Sequence, residues 1–288
     1  MLGSIFAISQ ALLAAFLLTL VRKELEKANF LSVSLVVTIV GTGIFVPLAL
    51  LLSPLHSVRV EGVILFLLAG FLWPAFARLL YFRGMEKVGA STSASVFASN
   101  PLFSFLIVSV VLTERATIGD LAGTVCVVFG AVVIQQSVQG GESSSKNRKG
   151  LLYPLSAAVL TGLAYTIKKQ GLGFCDAPFL GVANGYTTLC LYLSVLTLLP
   201  KARASKLLNK QSFKLFWKSG LGLCIGHLLS FYALSYGNVS TVVPLMQTEP
   251  LFIFLFIHFL CKGTERISIK LIIGAITIIM GVALLTII

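Results

Sequence analysis

Apolar runs of roughly twenty residues follow one another along almost the whole chain, at 2–21, 30–52, 62–82, 88–112, 117–136, 151–168, 178–199, 213–235, 239–261 and 268–288. As a helix rising about 1.5 Å per residue, a run of that length crosses a hydrocarbon core of roughly 30 Å. Lipid offers backbone groups no hydrogen bonds, so separate spans of this kind must be helical. An all-α polytopic membrane protein with ten transmembrane helices is expected. The composition agrees: 57% of the 288 residues are hydrophobic and 11% charged, against about 25% charged in soluble domains.

The net charge of +12 would by itself suggest a nucleic-acid partner. The basic residues lie instead in short loops between apolar runs, which excludes that reading. Seventeen of the 22 Lys and Arg follow runs 1, 3, 5, 7 and 9, whereas four follow the even runs, Lys168 and Lys169 among them. Lys168, Lys214, Lys218 and Lys270 stand at run ends and count with the adjoining loops, which leaves Arg78 inside a run and in neither count. Positive-inside bias then puts the basic face in the cytoplasm and both termini outside, in what is expected to be a prokaryotic cell membrane. The run from Leu2 lacks a basic leader and a small-residue cleavage site, so it reads as a permanent span. The polar stretch 137–150 separates five runs from five. It reads as a cytoplasmic linker between units 1–136 and 151–288. Because each unit has an odd number of spans, the second is inverted relative to the first.

The two units share sequence. At an offset of 149, residues 82–106 align with 231–255 and eight of 25 positions are identical, including Ser91/Ser240, Thr92/Thr241, Pro101/Pro250, Leu102/Leu251 and Phe103/Phe252. Thr113-Glu114-Arg115 returns as Thr264-Glu265-Arg266, and Gly123 and Gly130 return as Gly274 and Gly281. A duplicated, Pro-interrupted apolar segment is a mark of transporters built from repeats.

The Ser-Thr start of runs 4 and 9, the mid-run Asn/Glu-Pro-Leu-Phe and the closing Glu114 and Glu265 resemble the drug/metabolite transporter superfamily, in particular its EamA-like ten-span members. The resemblance covers essentially the whole chain. It implies two inverted five-helix bundles around a central cavity and carries no information about the substrate.

Glu249 lies about ten residues into its run, roughly 15 Å deep. A lone ionised carboxylate there costs several kcal/mol and must be protonated, paired or wetted by a cavity. It is the leading candidate for binding a substrate amine or coupling protons; hydrogen bonding to a neighbouring helix is the competing reading. Asn100, its mate, reads equally as interhelical glue or as a ligand contact. Arg78 and His227 also coincide at the offset. Arg78 either snorkels past Arg83 to the interface or recognises an anion. His227 is a candidate proton relay or a neutral core histidine. Gln10, Trp73, Asn184, Tyr186 and Gln247 are further candidate substrate contacts. Phe97 and Met246, one turn before Asn100 and Glu249, are candidate apolar walls. Pro101 and Pro250 are candidate hinges, because proline removes a helical donor. The paired glycines two turns apart mark close helix packing, with a homodimer seam as one use of it.

The five cysteines are scattered with no CxxC, and the three histidines His56, His227 and His258 are far apart. No metal and no other cofactor is expected. No nucleotide-binding loop or hydrolase motif occurs, which leaves neither an enzyme nor a primary pump. The leading functional expectation is a secondary transporter for a small polar metabolite, an amino acid or amine, in export or exchange. The alternatives are a lipid-linked substrate translocase and a non-transporting membrane sensor.

Overall fold

A computed structural model describes residues 1–25, 30–53, 58–112, 117–138, 148–198, 210–260 and 269–287. Among them the structure is helical, without a strand. The order is α1 (Leu2–Leu25), α2 (Phe30–Leu52), α3 (Val60–Gly70), one π-helical turn (Phe71–Phe76), α4 (Ala77–Val88), α5 (Ala90–Phe97), α6 (Asn100–Val111) and α7 (Ile118–Val138). A short 3₁₀ turn (Arg148–Leu151) leads into α8 (Leu152–Phe174), α9 (Pro178–Leu198), α10 (Lys210–Tyr236), α11 (Val239–Met246), α12 (Glu249–Leu260) and α13 (Ile269–Ile287). The matching Thr-Glu-Arg triplets with Glu114 and Glu265, His56, Cys261 and most of the linker lie outside the described residues.

Eight helical segments among the described residues are long and apolar enough to cross a membrane: Leu2–Thr19, Val33–Leu52, Val60–Val88, Thr92–Val111, Ile118–Ser137, Lys149–Phe174, Val239–Phe256 and Ile269–Ile287. The expected runs at 178–199 and 213–235 are helical but are not among the eight. Asn184, Tyr186, Thr187 and Thr188 on α9 and Lys214, Lys218 and His227 on α10 lower their hydropathy. Large apolar side chains such as Leu51, Val110, Val195, Ile269 and Ile279 stand exposed around the outside. A monomer in water could not display so much apolar surface, and it is the surface lipid requires. The chain is an integral, multi-pass membrane protein.

Two boundaries differ from the sequence-based expectation. The helix carrying Arg78 continues to Val88, so Arg78 lies about 15 Å from its end at about 1.5 Å per residue. Lys168 and Lys169 lie within α8, not in a loop. Lys169 donates from Nζ to the Leu234 and Gly237 carbonyls at 2.7 and 3.0 Å, closing the C-terminal end of α10 as a cation does at the negative end of a helix.

The helices pack across the two units. α1 lies along α10, α8 along α3 and α4, α2 against α9, and α7 against α13. The last contact uses the paired glycines. A Cβ on Gly130 would stand 2.6 Å from the Gly274 carbonyl oxygen, and one on Gly123 2.9 Å from that of Gly281. The backbones touch, so this seam is consumed within the chain and is not free to join a second copy.

Candidate functional site

Proline interrupts the helices at three places, and each interruption exposes polar groups to the interior. The first is Trp73-Pro74, where Trp73 leaves helical conformation (φ −145°, ψ 122°) and the peptide bond is cis. The others are the gaps between α5 and α6 and between α11 and α12. There, short-range backbone bonds replace the regular ladder: Ser99 N to Val96 O and Leu102 N to Ser99 O in one, Thr248 N to Leu245 O and Leu251 N to Thr248 O in the other. The candidate hinges Pro101 and Pro250 follow these gaps directly, and both are buried.

Pro101 has no N–H, so the Phe97 carbonyl four residues earlier loses its helical partner. The Asn100 amide replaces it, donating from Nδ2 to Phe97 O at 3.0 Å and to Gln247 Oε1 at 3.3 Å. Asn100 is 2% exposed. These bonds tie the two gaps together through Gln247. Glu249 opens α12 half-buried. Among the described residues it forms no ion pair with Arg78 or Lys168. Tyr81 and Tyr165 are the side chains in electrostatic range of its carboxyl group.

A cavity of about 20 Å³ lies between α3 with its proline kink, α8, α9 and α10, lined by Trp73, Lys168, Tyr186 and His227 with Phe66 and Phe231 as apolar walls. Tyr186 Oη and His227 Nδ1 share a hydrogen bond of 2.6 Å. The Tyr186 ring fits against α2 because position 41 is glycine, where a Cβ would stand 2.7 Å from the ring. Arg78 turns inward, its guanidinium carbon 5.3 Å from the Trp73 ring centroid. That excludes the snorkelling alternative. It lies in electrostatic range of Tyr186, Lys168 and His227, so the offset mates Arg78 and His227 stand in the same region of the interior. Lys168 is 6% exposed, with its ammonium 5.1 and 5.2 Å from the Tyr165 and Phe231 ring centroids.

Phe97 stacks on Trp73 at 5.4 Å and meets Tyr81 at 4.8 Å, forming an apolar wall between the cationic and acidic regions. Met246 instead belongs to the main hydrophobic core, which is ordinary packing. Asn184 and Gln10 are half-buried and do not line the cavity, and the Asn184 amide nitrogen is buried without a hydrogen-bond partner.

A second, wider cavity of about 210 Å³ opens where α2, α9 and α10 end or begin, lined by Ser53, Asp176, Phe179, Tyr232, Ser235 and Tyr236 among others. Ser235 Oγ donates to Asp176 Oδ1 at 2.6 Å. Aromatic rings bridge this vestibule to the inner cavity: Tyr232 to Phe179 and Phe179 to Phe45 at 6.3 Å each, then Phe45 to Tyr186 at 6.4 Å.

Sequence reasoning missed Lys168, Tyr81 and Tyr165. Lys168 was masked by proximity to a loop; its signal is that the apolar pattern resumes after it, at Leu172 and Phe174. Among the described residues, no group of three or more His, Cys, Asp or Glu could hold a metal.

Residues 1–135 and 148–287 match the EamA-like transporter family. The chain is 26% identical over 289 residues to an uncharacterized transporter of Archaeoglobus fulgidus, with 99% of this chain and 98% of that protein covered. A solved crystal structure shares the fold at TM-score 0.77 and 15% identity, over 99% of this chain and 97% of the other. Duplicated Pro-broken helices, an interior of polar groups and a match across nearly the whole chain agree: this protein belongs to the EamA-like transporter family, within the drug/metabolite transporter superfamily.

Proposed function

We propose that this membrane transporter is a secondary carrier that moves a small polar metabolite by alternating access, in export or exchange, across a prokaryotic cell membrane. In this reading ten helices form two inverted halves, 1–136 and 151–288, with both termini outside and the linker in the cytoplasm. The exchanged packing supports it: α1 lies along α10 as α8 lies along α3 and α4, and α12 meets α1 as α6 meets α8. Pro101 and Pro250 serve as hinges because the ladder is already broken beside them. Glu249 and His227 are the proton-coupling groups, and Glu249 faces the amine end of an amino acid or amine.

The observation that carries the proposal is the polar cavity built from both halves, with an aromatic bridge between it and a wider vestibule. Solute sites are expected at such repeat interfaces. The inner cavity of about 20 Å³ holds about one water, whereas small-molecule sites measure roughly 300–1,000 Å³. In this reading the small cavity corresponds to a closed state, and transport requires the halves to part.

A non-transporting sensor also fits a closed interior. Counterflow in proteoliposomes separates the two. A carrier preloaded with unlabelled solute accumulates labelled solute transiently, and absence of accumulation across amino acids, amines and organic acids would remove the transport reading.

A further inference from the structure

Lys168 lines the inner cavity and half-buried Arg78 stands beside it on Trp73, and among the described residues neither has a counter-ion. Lys168 is 6% exposed and lines the cavity, with its ammonium over the Tyr165 and Phe231 rings. Arg78 rests on Trp73 and is electrostatically coupled to Lys168. Neither forms an ion pair or hydrogen bond among the described residues. Glu249 stays apart, facing Tyr81 and Tyr165.

Ring faces attract cations but do not replace hydration, and buried charge is retained at a cost unless it is paired. A like charge on Arg78 within electrostatic range of Lys168 raises that cost further. The missing element is negative charge. A lysine supplies a compact point charge and an arginine a planar fork suited to bidentate oxygen pairs.

We propose that the transported solute carries an oxyanion, a carboxylate or phosphate, and that Lys168 and Arg78 hold it beside the Tyr186–His227 pair. This rests on the transport reading and names its substrate class. An amino acid would enter with its carboxylate at this end; a simple amine would not use the site. In the closed state the cavity admits little more than the oxyanion head. Passage of the remainder requires the Phe45–Phe179 bridge to open toward the vestibule.

The test uses the full-length protein in nanodiscs of neutral phosphatidylcholine, with pyruvate, succinate, glycerol 3-phosphate, inorganic phosphate, putrescine and glucose as probes. Carboxylate or phosphate probes are expected to raise the unfolding temperature at millimolar concentration, with putrescine and glucose inactive. The more effective class identifies the oxyanion. Lys168→Met is expected to raise the ligand-free unfolding temperature, because it removes an uncompensated ammonium, and to weaken anion binding roughly tenfold or more. Lys168→Arg should keep the response. No shift with any anion, or an undiminished response in Lys168→Met, overturns the assignment. A shift produced only by phosphatidylglycerol in the disc assigns the site to a lipid headgroup and also overturns it. Counterflow with the same probes keeps the two readings separate. Anion binding without flux of any probe leaves the site standing and removes the transport reading. Flux of putrescine or glucose with no anion response does the reverse.

Discussion

Asn100 and Gln247 meet across the two halves at 3.3 Å, each beside a break in its helix. The same Asn100 amide satisfies the Phe97 carbonyl that Pro101 leaves without a donor. Asn100→Ala therefore orphans a backbone acceptor as well as a side-chain partner and should cost about 1–2 kcal/mol. Gln247→Ala leaves the Phe97 bond intact and should cost less. Thermal unfolding in detergent gives the order, and a double-mutant cycle should return a coupling of about 0.5 kcal/mol or more.

The α7–α13 seam predicts a contrast between glycines. Gly130→Ala puts a methyl 2.6 Å from the Gly274 carbonyl oxygen and 3.0 Å from the Ile278 nitrogen. Both are backbone atoms, so the helices must separate, at a cost of about 1–3 kcal/mol. Gly43→Ala meets nothing within 4 Å and should be neutral or stabilising by up to about 1 kcal/mol through helix propensity. Equal melting temperatures for the two variants would contradict the seam.

Backbone chemistry made the breaks at Pro101 and Pro250 legible, since a missing N–H must disrupt a helix whatever surrounds it. The repeat offset picked out Arg78 and His227 as a pair of polar groups inside apolar runs, and the structure brings them within electrostatic range of each other. Side-chain direction was not legible. Phe97 and Met246 occupy equivalent repeat positions, yet Phe97 stacks on Trp73 while Met246 joins the core; the difference comes from neighbours contributed by distant helices. Lys168 was hidden for another reason. A lysine near the end of an apolar run looks like a topology signal, and only the continuation of α8 to Phe174 places it inside.

The bond between Tyr186 and His227 holds the imidazole where it faces the cavity. Tyr186→Phe keeps the ring on Gly41 and removes the hydroxyl. Stability should fall by about 1–2 kcal/mol, because half-buried His227 loses its partner. Solute flux should fall severalfold. Unchanged flux and unfolding temperature together would show that the pair has no role in the site.

Phe179 stands between the vestibule and the inner cavity, in ring contact with Phe45 and Tyr232. Phe179→Ala opens that bridge. A cysteine placed at Tyr186 should then react faster with a membrane-impermeant maleimide added from the vestibule side than it does with Phe179 intact. An unchanged labelling rate would move the barrier elsewhere.

Glu249 offers the sharpest separation of structure from function. Pro250 frees the Met246 carbonyl as Pro101 frees that of Phe97, but an ionised carboxylate cannot donate to it. Glu249→Gln supplies an amide in the position Asn100 occupies in the other half, so the variant should fold at least as stably as the parent. It should also lose flux driven by a pH gradient, while solute exchange without a gradient persists. Fluorescent pH indicators inside proteoliposomes report the first quantity and labelled-solute exchange the second. Proton-coupled flux that survives in this variant would remove Glu249 from the coupling step, and a fall in unfolding temperature would show instead that the carboxylate supports the fold.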